Sequence, residues 1–203
     1  QQSLESSFIS SGNSYAGMRL AARNSLLGYI GEATQGVTYY RSVKEMLAEA
    51  QNDWPSMLAK LERVRDTLLS QKGVIINLTA DEKVLADVRP AIDAFVGKLP
   101  ETAAVDPKAP AWKDAVSLLP RENEGFSITT QVNYVAAGAK LFEAGESCPG
   151  DFYAVARFLS RGYLWDNVRV VGGAYGGGCS LNQNSGAFAF SSYRDPNLQG
   201  TLD

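Results

Sequence analysis

The residue types with the most evident chemistry in this chain are an arginine and a tyrosine set around a run of glycines. Arg169 and Tyr175 are six positions apart, and glycine occupies five of the seven positions from 172 to 178. This even spacing places both side chains on one face of a strand, whereas a helix would turn them well apart. A guanidinium is always charged and a phenol is a neutral donor, so the pair could stabilise the negative charge on an attacked carbonyl oxygen. We predict that both are catalytic residues acting from a strand or its entry.

The glycine run itself favours the close approach of another backbone. Glycine costs chain entropy, so five of them together are hard to explain as ordinary core. We expect Gly172, Gly173 and Ala174 to bind an extended peptide. The run does not match the nucleotide-binding patterns, because no frame gives G-x-G-x-x-G and Gly178 stands where a phosphate loop requires lysine.

These side chains also have ordinary interpretations. An arginine is usually a surface or ion-paired residue, and a tyrosine usually packs half-buried. Further along, Asp195 is interpreted as a helix N-cap with a local ion pair to Arg194, and Pro196 as the first helical residue. Only about two turns could follow before Asp203, which predicts that the chain is part of a longer protein.

The composition contains no histidine, and this excludes several kinds of active site. Neither a His-Glu metal motif nor a Ser-His or Cys-His nucleophile pair can be assembled from these residues. Cys148 and Cys179 are far apart and lack metal-site spacing. We therefore predict no metal site in this chain, and expect any metal and general base to come from polypeptide outside it.

Charge and hydropathy exclude two classes of partner. The net charge is -3 and the basic residues are scattered among acidic ones, so a nucleic-acid partner is not expected. No run approaches 18 apolar residues, so no membrane-spanning segment is expected either.

Periodicity predicts an α+β fold. Apolar spacing indicates helices at five places and β-rich runs indicate strands at others. Proline and alanine concentrate between Leu99 and Pro120, which predicts a linker at 101–120 between a unit at 1–100 and a second at 121–203. The predicted helices cover 13–31, 38–51, a segment capped by Asp53, 84–96 and 151–164; the predicted strands cover 74–78, 126–128, 132–135 and 187–190.

Several segments resemble the presequence proteases, the organellar branch of the pitrilysin-type zinc metalloproteases. The resemblance centres on Leu164-Trp165-Asp166-Asn167-Val168-Arg169-Val170-Val171-Gly172-Gly173-Ala174-Tyr175-Gly176-Gly177 and extends to Ser185-Gly186, 192–198, 130–135, 77–81 and 29–32. It therefore covers nearly the whole chain. One departure is Ser11-Gly12-Asn13, where a histidine would be expected in the third position.

The resemblance implies an enzyme whose two halves close around a peptide chamber. The zinc motif His-x-x-Glu-His would lie in an N-terminal half outside this chain, and that half would be its partner. Residues 1–100 would be the end of a third α/β sandwich domain, and 121–203 the truncated start of a fourth. In the family, the residues matching Arg169 and Tyr175 reach the zinc site and bind substrate near the scissile bond.

The function implied is that of a zinc metallo-oligopeptidase. It would degrade cleaved targeting peptides and other short unstructured peptides in the mitochondrial matrix or chloroplast stroma. Zinc, the expected cofactor, would be held by the N-terminal half, so this chain alone is predicted to be inactive. The alternative is a non-catalytic scaffold or assembly subunit of a larger organellar complex with the same fold, and the presence of Arg169 and Tyr175 favours the enzyme.

Overall fold

The computed structural model describes residues 2–72, 74–101, 116–143 and 145–203. Within these residues, helices alternate with three short strands late in the chain. The helices are α1 (Gln2–Ala21), α2 (Leu26–Gln35), α3 (Val37–Asn52), α4 (Trp54–Leu68), α5 (Glu82–Val96), α6 (Asp151–Arg161), a π-helix (Trp165–Val171) and α7 (Gln199–Leu202). The strands are β1 (Ala136–Lys140), β2 (Gly176–Asn182) and β3 (Ala187–Tyr193). This confirms a mixed helix and sheet structure of the α+β class.

The three strands form one antiparallel sheet in the order β1-β3-β2. A tight turn joins β2 to β3, where the Asn182 side chain accepts hydrogen bonds from the amides of Asn184 (3.0 Å) and Ser185 (3.1 Å). Gly186 ends this turn with φ of 69°, a conformation that glycine adopts without strain. The register places Gly178 opposite Ser191 on β3.

Helices pack against both edges of this sheet. Helix α1 lies against β1 and β3, where the Leu20 side chain approaches Gly138. Helix α6 lies against β2, and the Ser160 hydroxyl accepts a hydrogen bond from the Cys179 amide at 2.9 Å. The strand that follows the π-helix is therefore fixed by packing against α6.

The structure divides the first predicted helix, over residues 13–31, between helices α1 and α2. Helix α1 begins earlier, and a turn at 22–25 separates it from α2. Ser25 caps α2 by accepting a hydrogen bond from the Gly28 amide. Helix α1 is itself interrupted at Ser11, where φ is -131°, and Gly12 lies there against the ring of Tyr134. A side chain at Gly12 would occupy the position of that ring.

Two of the predicted strands before β3 are wrong or displaced. Residues 126–128 form no strand, because the ring of Phe126 packs instead beneath the guanidinium groups of Arg19 (5.6 Å) and Arg41 (5.8 Å). The strand predicted at 132–135 is found at 136–140, preceded by a single bridge between Asn133 and Asp195. The strand predicted at 187–190 is confirmed as part of β3.

Contacts group residues 45–112 into a compact unit of their own. The predicted cap of α4 is confirmed, since the Asp53 side chain accepts a hydrogen bond from the Ser56 amide at 3.2 Å. Helix α5 is capped in the same way by Asp81, whose side chain accepts a hydrogen bond from the Val84 amide at 3.0 Å. The predicted buried strand at 74–78 is wrong: these residues are exposed and no described segment pairs with them. A strand is stable only with a neighbour that completes its hydrogen bonds.

The other compact unit combines residues 1–44 with 113–203. The two sequence segments thus share contacts although the whole of the other unit lies between them in sequence. The domain boundaries inferred from the sequence, 1–100, 101–120 and 121–203, stay a prediction, as does the assignment to two sandwich domains. Residues 102–115 of the proposed linker lie outside the described residues.

Candidate active site

The predicted pair lies where the π-helix passes into β2. Arg169 is in the last turn of the π-helix, and Tyr175 immediately precedes the first residue of β2. The expectation that both residues act from a strand or its entry is therefore wrong for Arg169, whereas Tyr175 does lie at the entry to β2. The structure nevertheless brings them together, with the Arg169 guanidinium carbon 6.0 Å from the centroid of the Tyr175 ring. A π-helix is rare and often marks a functional site.

A compact turn reverses the chain between the two residues. The amide of Gly172 donates to the carbonyl of Asn167 (2.8 Å), and the amide of Ala174 donates to the carbonyl of Val168 (3.1 Å). Gly173 takes φ of 79°, which disfavours any residue with a Cβ atom. The turn ends the π-helix and directs Tyr175 back toward Arg169.

Two aromatic rings hold the Arg169 side chain. Its guanidinium carbon is 4.0 Å from the centroid of the Trp165 ring, and the Tyr175 ring lies beyond. A cation over a ring face is attracted by the electron density of the ring, and this contact uses none of the N–H donors. Among the described residues Arg169 has no hydrogen-bond acceptor and no ion-pair partner. Its donors are therefore available to a ligand.

Tyr175 is fixed by its backbone and by one neighbouring ring. Its amide donates to the carbonyl of Tyr193 at 3.1 Å, and the edges of the two rings meet with centroids 5.9 Å apart. The side chain is 68% exposed, and its hydroxyl bonds to none of the described residues. The phenol can therefore donate to a ligand beside the guanidinium.

The glycine run serves packing within the chain. A Cβ atom at Gly177 would lie 2.9 Å from a methyl group of Val168, and one at Gly172 would lie 2.7 Å from the Val168 carbonyl oxygen. What approaches these glycines is thus the chain's own π-helix, through the Val168 side chain at Gly177 and the Val168 carbonyl at Gly172, which the sequence did not indicate. That Gly172, Gly173 and Ala174 bind substrate stays a prediction; Ala174 is buried, at 4% exposure.

A loop after β3 supports the same turn. Asp195 is fully buried and does not cap a helix that begins at Pro196, since α7 starts at Gln199. Its carboxylate accepts hydrogen bonds from the Asn197 amide (2.9 Å) and the Thr201 hydroxyl (2.8 Å). The Asn197 side chain in turn donates to the carbonyl of Gly172 at 2.7 Å. The predicted N-cap is therefore wrong, and the aspartate organises a loop that braces the turn.

Sequence reasoning missed three residues of this site: Trp165, Tyr193 and Asn197. Trp165 is four positions before Arg169, a spacing at which helical side chains meet, so the pattern could have suggested it. Tyr193 and Asn197 reach the site only through strand pairing and the loop, which no local pattern encodes.

A second arginine of the same unit forms a buried ion cluster. Arg19 donates to Glu32 at 3.0 Å and holds Glu124 with two hydrogen bonds, one of them at 3.0 Å. Burial acts to lower the pKa of Arg19, but its bonds to Glu124 and Glu32 outweigh this and raise it. The hydrogen bond from Arg19 lowers the pKa of Glu124. In this cluster the carboxylates occupy the donors of Arg19.

The described residues do not fit a zinc site. The described part of the chain contains no group of three His, Cys, Asp or Glu side chains that could hold a metal ion. Cys179, partly buried, directs its thiol to the Ala156 carbonyl at 3.2 Å.

None of the described helices is long and apolar enough to cross a membrane.

Comparison with known proteins agrees with the resemblance seen in the sequence. Residues 123–203 match the model of the PreP C-terminal domain family. The chain is 36% identical over 200 residues to presequence protease 1, chloroplastic/mitochondrial, of Arabidopsis thaliana, covering 98% of this chain and 18% of that protein. The chain belongs to the presequence protease family.

Two further relatives widen the comparison. Mitochondrial presequence protease of Yarrowia lipolytica is 28% identical over 204 residues, and Protein HypA of Clostridium perfringens is 26% identical over 200. Each match covers 98% of this chain and 20% of the relative. The chain thus spans about a fifth of the length of the presequence proteases it matches. The names of the plant and yeast relatives support the predicted organellar localisation.

Proposed function

We propose that this chain supplies the carbonyl-binding part of an organellar peptidase that degrades cleaved targeting peptides and other short unstructured peptides. The observation that carries the proposal is the pair Arg169 and Tyr175, a charged and a neutral donor. The Arg169 guanidinium carbon lies 6.0 Å from the centroid of the Tyr175 ring, and neither side chain has a hydrogen-bond acceptor in the described structure. The names of the relatives, presequence proteases, supply the substrate class.

The chemistry follows from the donors themselves. When a peptide carbonyl is attacked, its oxygen gains negative charge, and donors already fixed in place stabilise that charge with little reorganisation. Arg169 contributes a permanent charge and Tyr175 a neutral O–H, and both are oriented by rings and backbone bonds. Together they would bind the carbonyl in the ground state and more strongly once it is charged.

This chain would act on substrate without holding the metal. Zinc and the residues that bind it are expected in the N-terminal half of the protein, because no set of ligands for it is present among the described residues. The role proposed for Arg169 and Tyr175 is confined to orienting the peptide and stabilising charge on its carbonyl oxygen.

The test is steady-state turnover of a short unstructured peptide by the full-length protein. Arg169→Ala and Tyr175→Phe should each lower kcat by about 10²-fold or more, as loss of an oxyanion donor does. Arg157→Ala is the matched control, because Arg157 is an exposed arginine of α6 outside the pair, and it should retain normal turnover.

Wild-type kcat in both Arg169→Ala and Tyr175→Phe would overturn the proposed role. If instead the wild-type protein cleaved no peptide, the non-catalytic scaffold would be the better interpretation of the fold.

A further inference from the structure

The indole of Trp165 stacks on the Arg169 guanidinium and lies closer to it than the Tyr175 ring does. Both residues are in the π-helix, four positions apart, and the guanidinium carbon is 4.0 Å from the ring centroid. This separation is that of a face-on stack. Trp165 is also 44% exposed, so it is not simply a residue of the hydrophobic core.

An arginine that binds ligands must be held without losing its donors. A carboxylate would orient Arg169 but would also occupy the N–H groups and neutralise the charge. The described structure shows no such carboxylate at Arg169, although Asp166 is in the same helix. A ring face restrains the guanidinium plane and leaves its N–H edge open.

The π-helical backbone places Trp165 where its ring can restrain the Arg169 guanidinium. In the π-helix the hydrogen bond from the Gly172 amide reaches back five residues to Asn167, so the turn is wider than in an α-helix. Arg169 lies within that wide turn and stacks on the residue one turn earlier. Tyr175 is in turn restrained by an edge-to-face contact with the Tyr193 ring.

We propose that Trp165 is a positioning residue for Arg169, holding the guanidinium by a cation–π stack so that its donors face the substrate carbonyl. This inference rests on the proposed function of Arg169. Trp165 acts through the arginine and touches no reacting atom. Its contribution therefore depends entirely on whether Arg169 is present.

A double-mutant cycle in the full-length protein tests this dependence. Trp165→Leu should lower kcat by about 10-fold, within the range expected from losing one cation–π contact, with KM changed less. Trp165→Phe keeps a ring face and should stay within about threefold of wild type. In an Arg169→Ala background, Trp165→Leu should change kcat by less than about twofold, because no guanidinium remains to be positioned.

Two further variants control for folding. Tyr163→Leu removes an exposed aromatic side chain two positions before Trp165 that stacks on no described cation, and it should retain normal turnover. Trp165→Met keeps apolar bulk without a ring and should reproduce the loss seen in Trp165→Leu. Circular dichroism and the melting temperature establish that each protein is folded.

The outcomes separate this inference from the function it rests on. Wild-type turnover in Trp165→Leu and Trp165→Met, beside an impaired Arg169→Ala, would overturn the inference alone. A further 10-fold loss in the Arg169→Ala background would also overturn it, since Trp165 would then act independently of the arginine. Wild-type turnover in Arg169→Ala would overturn the proposed function and this inference together.

Discussion

Two arginines of the same compact unit differ in what occupies their N–H donors. Arg19 is 7% exposed and lies over the Phe126 ring, but Glu32 and Glu124 accept its hydrogen bonds. Arg169 contacts two aromatic rings and no described carboxylate. Carboxylates compensate a buried charge but occupy its donors, whereas rings orient the charge and leave its donors open. The way an arginine is held thus indicates whether it supports the fold or serves a ligand.

The largest expected loss of stability comes from replacing Arg19, the arginine of the ion cluster. Arg19→Met leaves Glu32, which is 1% exposed, buried without its cation. Breaking a buried ion pair from one side commonly costs about 3–5 kcal/mol. Hydrogen exchange of the peptide over residues 26–38 in the full-length protein should show a loss of protection of that order. Arg169→Met is the matched variant and should leave protection of this peptide unchanged; equal losses in both would erase the distinction between the two arginines.

A smaller loss of stability is expected from replacing Gly172, the glycine that ends the π-helix. A Cβ atom at Gly172 would lie 2.7 Å from the Val168 carbonyl oxygen and 2.8 Å from that of Asn167, and neither backbone atom can move freely. Gly172→Ala should therefore weaken the segment that carries Arg169 by about 1–3 kcal/mol, measured as faster amide exchange over residues 165–175.

Gly178→Ala is the control for this change. A Cβ atom at Gly178 would meet only the Ser160 side chain, at 3.4 Å, so exchange over the same peptide should be nearly normal. Normal exchange in Gly172→Ala as well would mean that backbone geometry is not what holds the Arg169 region.

The smallest expected effect is a change of stability with pH. It is expected in the ion cluster around Arg19 and not in the segment around Arg169. The hydrogen bond from Arg19 lowers the pKa of Glu124 in the folded protein. This carboxylate therefore stabilises the fold above its unfolded pKa of about 4.3, and the contribution is lost as the pH falls through the lower folded pKa. Glu124 is partly exposed, so we expect about 1 kcal/mol or less.

The measurement is hydrogen exchange of helix α1 between about pH 6 and pH 3, corrected for the intrinsic pH dependence of exchange. Wild-type protein should lose protection on acidification, and Glu124→Gln should show a flatter profile. Identical profiles would contradict a stabilising role for the Glu124 carboxylate, and the peptide over residues 165–175 should show no difference between the two proteins.

The amino-acid sequence by itself determined the elements that depend on local pattern. Apolar spacing located the helices that became α3, α4 and α6, and alternation located β3. Residue chemistry alone selected Arg169 and Tyr175, and the structure brings them within 6.0 Å. These features follow from residue propensity and periodicity over a few positions, and both can be recognised in the sequence without knowledge of the fold.

Only the tertiary structure decided how those residues meet. The structure places Arg169 in a π-helix where a strand or its entry was expected, packs Gly177 of β2 against the Val168 side chain, and shows no described partner strand for residues 74–78. It also brought Tyr193 to Tyr175 and Asn197 to the carbonyl of Gly172. Each of these contacts joins segments that are distant in sequence, so its free energy appears only when the chain has folded and cannot be inferred from any local pattern.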